Sequence, residues 1–112
     1  MKEIKVYLHK QRIAAVIEAL REEGQCGFAD GSGCHNLAVY AVQGSLKALD
    51  IHDQRYSVDL ADAVTYEYKL ELACEDAEVP RLINIIRRAA STGHPRSACV
   101  FVVHIEQALT IT

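Results

Sequence analysis

Apolar and polar positions change period several times along the chain. Ile4, Val6 and Leu8 alternate with Lys5 and Tyr7, the period-two pattern of a half-buried strand. Ile13, Val16, Ile17 and Leu20 then recur at i, i+3, i+4 and i+7. That spacing predicts a helix over about 10–23 with one apolar face, stopped by Gly24. A glycine-rich loop follows. Leu37 to Val42 is almost continuously apolar, as in a strand covered on both faces. Gly44 breaks the pattern, and Ser45 to Ala63 keeps no sustained period; so long a structureless stretch in a compact domain is usually functional or disordered. Alternation resumes with Val64, Tyr66, Tyr68, Leu70 and Leu72 on one face and Thr65, Glu67, Lys69 and Glu71 on the other. The acidic run Glu75–Glu78 suits a helix start, with Pro80 tolerated in the first turn. Val79, Leu82, Ile83 and Ile86 give this second helix its apolar face, Arg87 and Arg88 suit its last turn, and Gly93 ends it. After a short polar turn, Cys99 to Ile105 is β-prone, and residues 107–112 could add a short edge strand.

The order β-α-β-(long loop)-β-α-β predicts an α+β chain. Two βαβ units with adjacent middle strands form a ferredoxin-like βαββαβ sandwich with both helices on one face of an antiparallel sheet. Two helices leave the other sheet face open, and its apolar content points to oligomerisation. With 112 residues, the expectation is one domain over 1–112. A net charge of −3 gives no electrostatic case for nucleic acid or an anionic membrane. No apolar run is long enough to span a bilayer, and Met1–Val6 lacks the core of a signal peptide. A reducing, cytoplasmic setting is therefore expected, with thiols free.

Of the four cysteines, Cys74 and Cys99 sit in apolar runs and read as small core residues. Cys26 and Cys34 bracket the glycine-rich loop. With Asp30 and His35 they could hold a metal, or pair as a disulfide, although the spacing matches no familiar zinc pattern. An ordinary connecting loop remains the simplest reading of that stretch. No nucleophile–base arrangement is indicated by spacing, and no enzyme is expected. The turn after the first strand, His9-Lys10-Gln11-Arg12, has no glycine to open the phosphate loop of an acylphosphatase. The segment Thr92-Gly93-His94-Pro95-Arg96-Ser97-Ala98 is a better candidate. Backbone N–H groups of such a turn can hold phosphate, and Arg96 could add a charge-assisted bond.

The chain opens on a Met-Lys-x-Ile strand, its first helix ends at Gly24, and Val42-Gln43-Gly44 opens a long loop. Tyr68-Lys69-Leu70-Glu71-Leu72, Ala90-Ser91-Thr92-Gly93, Cys99-Val100-Phe101-Val102 and Ile105-Glu106-Gln107-Ala108-Leu109 follow. In these motifs, over most of its length, the chain resembles the PII family of trimeric signalling proteins. The resemblance implies that about 45–63 is a T-loop and about 92–98 a B-loop. It implies a homotrimer whose intersubunit clefts bind adenine nucleotides, and a T-loop that changes shape to be read by a protein target. Carried onto this chain, the nucleotide-binding residues are Gly44, Ser45, Glu71, Gly93, His94, Arg96, Ser97 and Ala98.

Departures from the family pattern refine this. A B-loop of the form Thr-Gly-x-x-Gly-Asp-Gly-Lys becomes one in which the phosphate lysine falls on Cys99 and two glycines become Arg96 and Ala98. The tail arginines fall on Thr110 and Thr112, and a lysine of the third strand falls on Glu67. Losing these cations weakens the most charged ligand most, so ADP or AMP is expected over ATP. Ser45-Leu46-Lys47-Ala48 replaces the Gly-Arg-Gln of the T-loop, which argues against 2-oxoglutarate and magnesium-ATP sensing. The chain looks similar to PII-like proteins associated with carboxysomes or bicarbonate transport, with Gly44, Ser45, Lys47 and Arg55 as bicarbonate candidates. Lys47, Arg55 and Tyr56 are the candidate partner contacts of the T-loop. The alternative is a CutA-like trimer binding a soft metal through Cys26, Cys34 and His35.

Overall fold

A computed structural model describes residues 1–24, 35–44, 54–57, 62–109 and 111–112. The elements are β1 (Lys2–His9), α1 (Lys10–Glu22), β2 (His35–Gly44), β3 (Gln54–Ser57), β4 (Asp62–Cys74), α2 (Val79–Ala90) and β5 (Ala98–His104). A single 3-10 turn, Asp76–Glu78, precedes α2. The four long strands form an antiparallel sheet in the order β2-β4-β1-β5. With both helices on one face, this is the ferredoxin-like α+β sandwich expected from the element order.

The alternation in β1 and β4 decides what is buried. Ile4, Val6, Leu8, Leu70, Leu72 and Cys74 face the helices and are essentially inaccessible. They meet Val16 and Leu20 of α1 and Leu82, Ile85, Ile86 and Ala90 of α2. Each such aliphatic side chain contributes about 1.5–3 kcal/mol of burial. The helices also close on one another. A Cβ placed on Gly24 would lie 2.8 Å from the Leu20 carbonyl oxygen and 3.1 Å from Leu82 Cδ2, so only glycine lets α1 end this close to α2. Arg81, early in α2, donates to the carbonyls of Glu23 (2.8 Å) and Gly24 (3.3 Å) at the end of α1. Arg12, early in α1, donates from Nε and Nη2 to the Ala89 carbonyl at the end of α2, at 3.0 and 2.7 Å. Each helix thus satisfies the other's terminal carbonyls, which have no intrahelical partner.

Several expectations are corrected. The stretch 45–63 is not wholly without regular structure: β3 pairs with the start of β4, Gln54 opposite Thr65 and Ser57 opposite Asp62. Thr65 also pairs with Gly44, so β3 lies on the edge of β4 that β1 occupies further along. Cys99 is not a core residue but exposed. It pairs with Tyr7, and that position falls on the sheet face away from the helices. β2 is not covered on both faces: Leu37 is buried and Val39 packs against the core on the helix side, but Ala38 and Tyr40 on the open face are exposed, and at this edge strand so is Ala41. The second helix ends at Ala90, with Ser91 already extended, three residues before Gly93. No strand forms over 107–109 or 111–112, where Leu109 is 76% exposed and Ile111 93%. No helix among the described residues is long and apolar enough to cross a membrane.

Candidate ligand site at the turn after the second helix

The turn between α2 and β5 is held by hydroxyl groups. Ser97 Oγ donates to the His94 carbonyl (2.7 Å) and accepts the Thr92 backbone N–H (3.1 Å). It also lies 2.6 Å from Thr92 Oγ1; because the Ser97 proton is spent on His94, Thr92 donates there. Thr92 Oγ1 in turn accepts the His94 N–H at 3.2 Å. Ser97 therefore uses its one donor and both acceptor sites inside the turn. Its side chain shapes the loop, a role that candidate phosphate contact at this position did not anticipate. Ser97→Ala is expected to lower stability by about 1–2 kcal/mol and to weaken ligand binding at the turn. Urea unfolding and calorimetry measure the two effects.

Two residues of the turn adopt the left-handed backbone conformation, Gly93 at φ 81 and Arg96 at φ 61. Glycine does so without penalty, whereas a residue with a Cβ loses about 1–2 kcal/mol. Arg96 is exposed and makes no hydrogen bond or ion pair within the described residues. Among the described residues, nothing bonded to its side chain offsets the cost of its conformation. Beside it a cleft of about 290 Å³ opens between α2, the turn and β5.

The expected site residues divide by position. Gly93, His94, Arg96, Ser97 and Ala98 are brought together in this turn. Gly44 ends β2. Ala98 pairs with Leu8, Leu8 with Tyr68, and Tyr68 with Ala41, so Gly44 and Ala98 stand at the same end of the sheet but on opposite edges. Three strand spacings separate those edges, about 14 Å. Arg55 and Tyr56 belong to β3, opposite Val64 and Ala63. Ser45 and Lys47 lie outside the described residues, as do Cys26, Asp30 and Cys34 of the alternative metal cluster. His35 is described only as a backbone position in β2.

Glu71 is not at the turn. It lies on the open sheet face, in the row of Lys5, Phe101 and Ala38, within an ordered cluster. Tyr40 donates its hydroxyl proton to Glu71. Lys69 Nζ sits 3.0 Å from Glu71 Oε1, 5.3 Å from the Tyr7 ring centroid and 5.5 Å from that of Tyr40. The Tyr40 hydrogen bond, followed by that of Lys69, holds the Glu71 carboxyl below its usual pKa. Tyr40, then Glu71 and Tyr7, hold the Lys69 ammonium above its own. Tyr7 also packs edge-on to Phe101, ring centroids 6.0 Å apart. Glu67, where the family pattern has a lysine, is buried opposite the equally buried His9. The same face leaves Tyr40 41%, Phe101 52% and Val103 42% exposed, an amphipathic surface with its charges already paired.

No family model matches the chain, but curated proteins do. It is 33% identical to the nitrogen regulatory protein P-II of Rhodospirillum rubrum over 115 residues, covering 99% of this chain and 91% of that protein. It is 32% identical to the protein of the same name from Bradyrhizobium diazoefficiens, with the same coverage. It is 23% identical to nitrogen regulatory protein P-II 2 of Methanothermobacter thermautotrophicus, covering 99% of this chain and 89% of that one. The likeness spans both βαβ halves, the long connection between them and the turn after α2, and on it the chain belongs to the PII family of nitrogen regulatory proteins.

Proposed function

We propose that the chain is a non-enzymatic regulator that binds ADP or AMP, in preference to ATP, in clefts between the subunits of a homotrimer. One observation carries this reading. The turn after α2 holds an arginine in a conformation that glycine would take at lower cost, beside a cleft and with no partner among the described residues. Strain of this kind persists where a residue serves a ligand. The cation count supports a diphosphate or monophosphate over a triphosphate: Cys99 stands in place of the family lysine and is exposed on the other sheet face.

Topology supports a shared site. Within one chain the turn at Ala98 and the start of the T-loop at Gly44 lie on opposite sheet edges, about 14 Å apart with β4 and β1 between them, which favours a ligand shared between two copies. Bringing the β2 edge of one copy beside the β5 edge of the next meets the requirement. A head-to-tail contact of this kind, with a rotation that closes after three copies, makes a ring, and the open face with Tyr40, Phe101 and Val103 would line its interior. Glu71 then holds Lys69 in place inside the ring and does not touch phosphate.

The T-loop is the responsive element in this reading. The β3–β4 hairpin carries Arg55 and Tyr56 as partner contacts, together with Lys47. The relatives are named for nitrogen regulation. Here Ser45-Leu46-Lys47-Ala48 replaces the family signature, and the effector is bicarbonate, held by Gly44, Ser45, Lys47 and Arg55. Calorimetry with AMP, ADP and ATP, each with and without bicarbonate, tests the whole scheme. ADP and AMP should bind more tightly than ATP, and bicarbonate should change the nucleotide affinity. If no adenine nucleotide binds, the sensing role is wrong. If bicarbonate has no effect, the carbon link is wrong. Light scattering should give the mass of three chains, and a monomer would exclude the shared cleft.

A further inference from the structure

We infer that Arg87, which neither the sequence pattern nor the family resemblance assigns to the site, is the second arm of an anion clamp closing with Arg96 over the cleft between α2 and β5. The inference rests on the nucleotide reading for the identity of the ligand and on geometry for the clamp. Ile83, Ile86 and Val100 line the cleft with aliphatic surface, while Arg87, Ser91, Arg96 and Ser97 are its polar residues. Like Arg96, Arg87 is exposed and has no hydrogen bond or ion pair within the described residues. The neighbouring arginines are committed. Arg88 pairs with Glu23 at 3.0 Å, Arg81 caps α1, and Arg12 caps α2. Two guanidiniums with no bonded partner among the described residues thus line one cavity.

The location explains why two are needed. The cleft lies at the carbonyl end of α2, where the helix dipole repels anions. Arg12 covers the Ala89 carbonyl, and Arg87 and Arg96 add the net positive charge. Planar guanidiniums bind phosphoryl oxygens in pairs, giving geometric selection as well as attraction. At about 290 Å³ the cleft is at the lower limit of cavities that enclose a small ligand. It suits the phosphate end of a nucleotide and leaves the nucleoside to a neighbouring chain. Arg87 then offsets the loss of the family lysine at Cys99 by approaching the phosphates from the helix and not from the strand.

The test is calorimetry on the full chain with ADP, adenosine and inorganic pyrophosphate, using wild type, Arg87→Gln, Arg87→Lys and Arg88→Gln. Arg87→Gln should weaken ADP and pyrophosphate about tenfold or more and leave adenosine unchanged. Arg87→Lys should recover part of the loss. Arg88→Gln removes the same charge one residue away and should leave ADP binding as in wild type. Thermal melts establish that each variant is folded; Arg87 is exposed, so its replacement leaves the core intact. The clamp is overturned if Arg87→Gln binds ADP and pyrophosphate like wild type, or if Arg88→Gln weakens them equally. If wild type binds pyrophosphate in an Arg87-dependent way but no adenine nucleotide, the clamp stands and the nucleotide reading falls. If wild type binds neither, both fall.

Discussion

Replacing Arg96 by glycine is expected to stabilise the protein and disable its ligand site in the same step. The left-handed conformation at φ 61 costs an arginine about 1–2 kcal/mol, and glycine returns about 0.5–1 of that as unfolded-chain entropy. The net gain is about 0.5–1 kcal/mol, read as a higher urea midpoint at unchanged slope. The side chain is exposed, so no packing is lost to offset it. ADP affinity should fall at least tenfold, while adenosine affinity is kept. A destabilised variant would remove the strain argument, and full ADP binding would remove Arg96 from the phosphate role. Opposite signs in stability and binding separate a functional residue from one that merely fits its turn.

A larger stability effect is expected from the crossed helix caps. Arg12→Met and Arg81→Met each leave terminal carbonyls of the partner helix without their charged donor, at about 1.5–3 kcal/mol apiece. The two contacts sit at opposite ends of the helix pair, roughly 18 Å apart for a helix of this length, far enough to add. The double variant should therefore lose about 3–6 kcal/mol, a large fraction of the stability of a domain this size. Denaturant unfolding of the two single variants and the double variant measures it. Losses well below 1 kcal/mol would mean that water caps these carbonyls as well as arginine does.

The elements carried by a strong period were legible in the sequence. β1, α1, β4 and α2 each present one apolar face, and the order of the elements was enough for the ferredoxin-like topology. What escaped depends on neighbours distant in the chain. Cys99 sits in an apolar run, yet the register with Tyr7 turns it away from the helices. The apolar stretch at Leu37–Val42 looked doubly covered because composition does not reveal that β2 is an edge. β3 is only four residues long, too short for a period to show. Helix α2 stops at Ala90 because Thr92 and Ser97 pull the chain into a turn, not because Gly93 breaks it.

The candidate site was legible in part, for the same reason. Gly93 and Arg96 announced a turn capable of holding an anion. Arg87 did not stand out, because a basic residue in the last turn of a helix is already explained by the dipole. Its distinction from Arg88 lies in what each side chain meets: Arg88 finds Glu23, and Arg87 faces the cleft.

The opposite-edge placement of Gly44 and Ala98 bears on how damage would spread. A ligand gripping both loops makes every chain the owner of two half-sites and of no complete one. A defect at the turn of one chain and a defect at the β2 edge of another spoil different halves. Mixed into one ring, such chains can place two intact halves side by side. On the proposed shared cleft, the working unit is a junction between copies, and function in a mixed population follows the pairing of edges, not the soundness of individual chains.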